Sequence, residues 1–183
     1  EIKDTIHELS DQTHCDWLVM GWDGRAHNGI FVGNPLGWLI SHINSDFALF
    51  KDNGVRNFSR ILLALRPGRK DKNFVAVVDR ICKFYDGSFT LLHIVPENTS
   101  DELILEMEMV SNRILSKVTA PGNLKIIKSK NAIETVYNFS ADYALMVLGT
   151  PEKDNWRNVL FGNGKDKFAY NSACSVLRLT MKD

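Results

Sequence analysis

Short apolar runs alternate with amphipathic stretches through the middle and C-terminal part of the chain. Five of these runs have the length of β-strands, and the stretches between them have helical spacing or contain Gly and Pro. A strand that repeatedly follows a helix predicts an α/β fold with a doubly wound, five-stranded parallel sheet. In such a sheet the ligand crevice lies at the carboxyl ends of the strands. The strands are predicted at 60–65, 89–95, 124–127, 143–148 and 175–180, and the helices at about 74–84, 99–118, 132–141 and 164–172.

Two predicted helices have an apolar stripe that would face the sheet. Residues three and four apart lie on one side of a helix, so each stripe marks the buried side. The stripes are Phe74, Val77, Val78, Ile81 and Phe84 in the first of these helices, and Leu103, Met107, Val110, Ile114 and Val118 in the second.

The N-terminal 51 residues repeat an order of elements found again at 132–180. Both segments contain a helix, a strand, a loop after the strand, a second helical stretch and a second strand, and Gly21 aligns with Gly149 at the end of the first strand. A repeat of this length predicts one structural unit that is present twice, once in part. We predict the C-terminal half of a first unit at 1–51, a linker at 52–57 and a complete second unit at 58–183.

Composition excludes several classes of function. Lys and Arg total 22 and Asp and Glu total 22, so the net charge is zero and there is no basic excess for nucleic acid or an anionic membrane surface. The longest apolar runs, such as 61–65, are far shorter than the roughly 20 residues of a membrane span, which predicts no direct membrane insertion of this segment. The chain begins at Glu1 without Met or a signal peptide, which indicates a piece of a longer protein.

The reactive residue types do not form a catalytic or metal-binding pattern. Cys15, Cys82 and Cys174 are widely spaced and lie in apolar surroundings, which predicts buried, reduced thiols and a reducing compartment. His93 lies inside a predicted strand and is interpreted as a satisfied core or crevice histidine. No Ser–His–Asp or Cys–His arrangement emerges, so we expect neither an enzyme nor a metal site.

A glycine motif that occurs twice is the best candidate for chemistry. Glycines between a strand and a helix let the backbone approach an anion, although glycines also mark ordinary turns. The recurrence in both units favours a binding loop over an ordinary turn. The first copy is Gly21-x-x-Gly24, eight residues, then Gly33-Asn34; the second is Gly149-x-x-Glu152, nine residues, then Gly162-Asn163.

These motifs resemble the universal stress protein domain, whose loop is Gly-x2-Gly-x9-Gly-Ser/Thr and whose strand order is 3-2-1-4-5. The segments 61–66, 91–96 and 173–177 are similar to the family's first, second and final strands. The resemblance covers 58–180 fully and 1–51 as the second half of a preceding copy. The tandem arrangement also resembles the paired domains at the cytoplasmic C-terminus of some prokaryotic transporters of the amino-acid, polyamine and organocation superfamily, which includes cation-chloride cotransporters.

The second unit departs from the family pattern at the residues that would hold ATP. The resemblance places an Asp at the end of the first strand, beside adenine and ribose, where this chain has Arg66. Arginine has no acceptor for a ribose hydroxyl. Glu152 adds a carboxylate where backbone should approach phosphate, and Asn163 replaces the Ser or Thr hydroxyl. We therefore expect a degenerate site, with Arg66 paired to Glu152 if the crevice is filled.

The first unit keeps more of the binding loop but lacks part of its sheet. It retains Gly21, Gly24 and Gly33, with Asn34 in place of the hydroxyl residue. The three preceding strands of the unit are absent from this sequence, including the one that would contact adenine. If a nucleotide binds, this loop is the better candidate, provided that the missing strands are restored.

The resemblance implies a non-catalytic cytoplasmic regulatory and dimerisation domain. Its expected partners are a second copy of itself and the transmembrane part of a secondary transporter, with no cofactor. The alternative is a soluble ATP-binding stress protein that acts as a nucleotide switch.

The incomplete first unit predicts a junction within the sheet. Two strands alone are marginal in water, so the strand at 46–50 should lie against 175–180, of this chain or of another copy. Family dimers associate through their final strands, which suggests the same pairing here. The apolar strand residues that this junction should bury are Trp17, Val19, Phe47 and Leu49.

Overall fold

Each predicted apolar run lies in a strand of one sheet. The computed structural model describes residues 2–24, 35–150 and 166–182. Several strands are longer or shorter than predicted by one or two residues at an end. In chain order the elements are α1 (Ile2–Thr13), β1 (Trp17–Gly21), α2 (Pro35–His42), β2 (Asp46–Lys51), β3 (Arg60–Leu65), α3 (Asp71–Tyr85), β4 (Ser88–Val95), α4 (Asp101–Leu115), β5 (Gly122–Lys128), α5 (Ala132–Ser140), β6 (Leu145–Gly149) and β7 (Ser175–Thr180).

The sheet has seven strands in the order β1-β2-β7-β6-β3-β4-β5. Its last five strands reproduce the predicted order 3-2-1-4-5, and all their pairings are parallel. The doubly wound α/β fold is therefore confirmed, but the sheet is larger than the predicted five strands. It is larger because β1 and β2 of the N-terminal segment join the same sheet through β7.

The junction between the two parts of the chain is an antiparallel pair, β2 with β7. The pairing runs from Phe47 opposite Thr180 to Lys51 opposite Val176, which confirms the predicted contact and places it within one chain. Phe47 and Leu49 are fully buried, as predicted. Val19 is 60% exposed, so that prediction was wrong. The helices on its side of the sheet, α3 and α4, pack over β3, β4 and β5 at the other end.

The junction lies on a pseudo-twofold axis of the internal repeat. Gly21 is opposite Phe50, and Gly149 is opposite Leu179. Aligning the two glycines therefore superimposes Leu49 on Arg178, and these two residues also face each other across β2 and β7. The axis passes between Leu49 and Arg178. Strand β1 is therefore antiparallel to β6, and the carboxyl ends of these two strands lie on opposite sides of the sheet along the strand direction.

Buried side chains alternate between the two faces of the sheet, as a sheet covered on both sides requires. On one face α1, α2 and α5 cover residues such as Leu49, Leu62 and Met146. On the other face α3 and α4 cover residues such as Leu63 and Val147. Among the described helices, none is both long and apolar enough to cross a bilayer.

The end of α3 fixes how β4 enters the sheet. Asp86 ends the helix in the left-handed region, with φ of 49°. At Gly87 an added Cβ would lie 2.6 Å from the carbonyl oxygen of Ser59, so only glycine lets the two backbones pass this closely. This turn delivers β4, with His93, beside β3.

The buried side of α4 is rotated relative to the predicted stripe. Leu103 and Val110 are 47% and 53% exposed, whereas Ser111 is buried. The rotation brings the Ser111 hydroxyl within 3.1 Å of His93 Nε2. Satisfying a buried histidine outweighs burial of two more apolar residues at the helix surface. On α3 the prediction held for Phe74 and Val78, but Phe84 is 81% exposed.

The prediction of a helix at 164–172 was wrong for the residues that the structure describes, which begin at Asp166. These residues form turns. Asp166 Oδ1 accepts hydrogen bonds from the backbone N–H groups of Phe168 and Ala169, at 3.0 and 3.2 Å. A side-chain acceptor that binds nearby backbone donors favours a turn over a continuing helix.

Candidate functional site

The crevice of the second unit lies where β3, β4, β5 and β6 end. Parallel strands bring their carboxyl ends to one edge, so Arg66 after β3 and Gly149 at the end of β6 share that edge. Arg66 is exposed and makes no hydrogen bond or ion pair with any residue in the described part of the chain. It borders an open cavity of about 500 Å³, whose other lining residues are Ile94, Val95, Pro96, Glu97, Asn98, Ser129, Lys130 and Ala132.

A buried polar network supports the loop that carries Arg66. His93 Nδ1 is 3.0 Å from the Leu65 carbonyl oxygen, which can only accept, so Nδ1 carries the proton. Nε2 then accepts from the Ser111 hydroxyl. Asp71 Oδ2 accepts from the Gly68 N–H at 3.1 Å and lies 4.0 Å from His93 Nε2. Burial raises the pKa of the Asp71 carboxyl. His93 is thus a fully satisfied core residue, as predicted.

Gly149 is held by packing and by its own backbone. An added Cβ would lie 3.0 Å from Phe74 Cζ and 3.2 Å from Leu65 Cδ2. The Gly149 carbonyl accepts from Arg178 Nη1 at 2.8 Å, and the next N–H, of Thr150, donates to Leu179. Close packing therefore favours a glycine here, independently of any role in ligand binding. The other predicted residues of this loop, Glu152, Gly162 and Asn163, lie outside the described residues.

The glycine loop of the first unit begins at the opposite edge of the sheet. Gly24 has φ of +83°, and an added Cβ would lie 3.2 Å from Tyr170 Cα. Its carbonyl accepts from the Asp166 N–H at 3.0 Å. Gly21 has open space around its Cβ position. Gly24 therefore has a structural role in a close contact between the two parts of the chain. Gly33 and Asn34, the rest of this predicted loop, lie outside the described residues.

A buried ion pair connects the two glycine loops, and it was not predicted from the sequence. Asp166 and Arg178 are 0% and 3% exposed. Arg178 Nη2 donates to Asp166 Oδ1 at 2.9 Å, and Nε contacts Oδ2. Through the bonds above, the pair touches Gly24 on one side and Gly149 on the other. An arginine inside an otherwise apolar strand was the available signal, since a charge there needs a buried partner.

The three cysteines differ in their surroundings. Cys82 and Cys174 are buried as predicted, and burial raises their pKa, that of Cys82 to about 11. Cys15 is only half-buried, so the prediction of burial was wrong there. Hydrogen bonds with Ser45 and Ser10, whose hydroxyl oxygens lie 3.3 and 3.6 Å from the Cys15 sulfur, lower the pKa of the Cys15 thiol.

We expect Cys15 alone to react rapidly with Ellman's reagent in the folded protein. The thiolate is the reactive form, and Cys82 and Cys174 are both shielded and harder to ionise. The absorbance should report one thiol per native chain and three after unfolding, as the sequence has three cysteines. Cys15→Ser should remove the rapid phase; rapid release from two or more native thiols would contradict this assignment.

The chain is similar in structure to known universal stress proteins. With one from Archaeoglobus fulgidus it shares 14% identity and a TM-score of 0.69 over 99% of this chain and 66% of that chain. With a putative universal stress protein from Pseudomonas aeruginosa it shares 11% identity and a TM-score of 0.65 over 98% of this chain and 68% of that one. A shorter universal stress protein from Archaeoglobus fulgidus matches 67% of this chain and 94% of its own, with 16% identity and a TM-score of 0.53.

These likenesses define the class of fold. The chain has the universal stress protein fold, which confirms that part of the predicted resemblance. It spans 66% of the length of the first Archaeoglobus protein. No family model matches the chain, and no curated protein matches it either. The resemblance to transporter tails stays a prediction.

Proposed function

We propose that this chain is a non-catalytic regulatory and dimerisation module whose second-unit crevice does not bind ATP in the manner of the family. In this proposal it is the cytoplasmic part of a secondary transporter, of the amino-acid or cation-chloride cotransporter type. The observation that carries the proposal is Arg66, an unpaired cation within the described part of the crevice, at the end of β3.

Arg66 changes what the crevice can recognise. A carboxylate at this position would accept hydrogen bonds from ribose hydroxyls, whereas a guanidinium only donates. Loss of an acceptor leaves polar groups of the ligand unpaired in the bound state, which costs about 1–3 kcal/mol for each group that becomes buried.

The backbone at the end of β6 also supports a degenerate site. The carbonyl of Gly149 and the N–H of Thr150 are both used inside the protein, by Arg178 and Leu179. Anion-binding loops work by directing free N–H groups at the ligand. The N–H of Thr150 is therefore not available to a phosphate without breaking a bond at the edge of the sheet.

The transporter assignment rests on the tandem arrangement of the two units. A test lies in the coding sequence upstream of residue 1, where we expect at least about ten apolar spans of roughly 20 residues each. An upstream region that encodes only the missing strands of the first unit would contradict the transporter part of the proposal. Light scattering of the chain tests dimerisation, and a monomer at all concentrations would contradict it.

Calorimetric titration with ATP and AMP tests the degenerate site. We expect no binding tighter than about 100 μM, which corresponds to about 5.5 kcal/mol. Arg66→Asp is the matched variant, because it restores an acceptor at the end of β3 and should bind ATP more tightly than the parent chain. Tighter binding by the unchanged chain would favour the alternative, a soluble nucleotide switch.

A further inference from the structure

The cavity at Arg66 combines a positive charge with a lining that is partly apolar. Arg66 makes no hydrogen bond or ion pair among the residues that the structure describes. The cavity is about 500 Å³, within the range of small-molecule sites. Three consecutive residues at the end of β4 supply its apolar side, and Ala132 supplies more from α5; the three are Ile94, Val95 and Pro96.

The charges of the lining favour a ligand with a single negative charge. Lys130 is partly neutralised, because its Nζ lies 3.3 Å from Glu97 Oε2. The charged residues of the lining are Arg66, Lys130 and Glu97, and their net charge is +1. A dianion such as phosphate at neutral pH would leave one charge uncompensated and would meet Glu97. A monoanion matches the available charge.

The geometry of Arg66 and of the apolar lining further restricts the class of ligand that fits the cavity. A guanidinium presents a planar fork that pairs with two oxygens of a carboxylate or a phosphate, and the net charge of the lining favours the carboxylate. Ala132 is the first residue of α5, so the positive end of that helix dipole borders the same cavity. The apolar part of the lining formed by Ile94 and Pro96 fits a hydrocarbon body better than the hydroxyls of a sugar.

We infer that this cavity binds a small organic monocarboxylate, with the carboxylate on Arg66 and the apolar body against the end of β4. The inference rests on the proposed function, since ATP bound in the family's manner would occupy the same crevice. Such a ligand would be the signal that the regulatory module senses.

Titration of the 183-residue chain with benzoate, followed by ¹H–¹⁵N correlation spectra, tests the inference. We expect saturable shifts at the amides of Arg66, Val95 and Lys130, with an apparent Kd of about 1 mM or tighter. Arg66→Gln should weaken binding at least about tenfold, the loss of one charge-assisted pair. Arg69→Gln is the matched control, because Arg69 is exposed on the same loop but does not line the cavity, and should change Kd less than twofold.

Benzamide, inorganic phosphate and AMP are the comparison ligands. Benzamide has the same shape without the charge, so binding equal to that of benzoate would overturn the inference, as would an Arg66→Gln variant with unchanged Kd. Phosphate should bind more weakly than benzoate. If benzoate binds only to the Glu152→Gln variant, Arg66 is an internal partner of Glu152 and the inference fails.

AMP binding tighter than about 100 μM would overturn the proposed function. The benzoate results would still decide whether the cavity is a carboxylate site.

Discussion

Replacing Arg178 with methionine is expected to lower the free energy of unfolding by about 3–5 kcal/mol. The substitution would leave the carboxylate of Asp166 at 0% exposure without its counter-charge. It would also remove the donor to the Gly149 carbonyl. Urea denaturation followed by tryptophan fluorescence measures the loss, and the four tryptophans give the signal.

The control is the double variant Asp166→Asn with Arg178→Met. Removing both charges deletes the uncompensated carboxylate, while the asparagine side-chain oxygen still accepts from the turn at Phe168 and Ala169. We expect the double variant to recover a large part of the lost stability. A single variant that loses less than about 1 kcal/mol would mean that the pair is solvated or replaceable.

Phe47→Ala is expected to lower the free energy of unfolding by about 3–5 kcal/mol. Phe47 is fully buried in β2, next to the junction with β7, and its removal leaves a cavity in the core. Val19→Ala on the adjacent strand is the control, because Val19 is 60% exposed and should change stability by no more than about 0.5 kcal/mol. Chemical denaturation of both variants measures the difference.

Equal effects at Phe47 and Val19 would contradict the arrangement of the junction. Phe47→Asp should also lower solubility, since a charge cannot be buried at this position and the released β2 would expose an unpaired strand edge. Glu106→Lys on α4 is a surface comparison, because Glu106 is exposed and should leave solubility unchanged.

The positions of the strands in the second unit could be predicted because each strand is a continuous apolar run set off by Gly, Pro or polar residues. Their order was implied by the resemblance to the universal stress protein domain. The β2–β7 junction could also be predicted, since two isolated strands with apolar faces must find a partner and the family resemblance suggested the final strand as that partner. Sequence alone did not reveal that Val19 is exposed. The exposure of Val19 depends on where α3 and α4 pack, and the whole sheet, not the local sequence, decides their position.

The parts that were wrong or missed depend on polar contacts between distant residues. Ser111 rotates α4 toward His93, 18 positions earlier, and helical periodicity contains no trace of that bond. Asp166 ends the predicted helix at 164–172, and it also neutralises Arg178 inside an apolar strand. One buried pair therefore accounts both for the wrong helix prediction and for the charge in the strand. At the candidate site, Arg66 was correctly placed at the sheet edge because a strand end is a local feature. Its cavity was not predictable, since three strand ends and a helix build it.

The place of Arg178 on the pseudo-twofold axis has a consequence for how this chain can pair with another copy. In a pair of identical units the axial residue faces its own copy, so two arginines would lie about 5 Å apart between Cα atoms. Like charges directly opposite each other are destabilising. In this chain Leu49 occupies the other side of the axis, so Arg178 faces an apolar residue instead of a second arginine. Because β2 and β6 already pair with both sides of β7, a dimer of this chain must form through another surface.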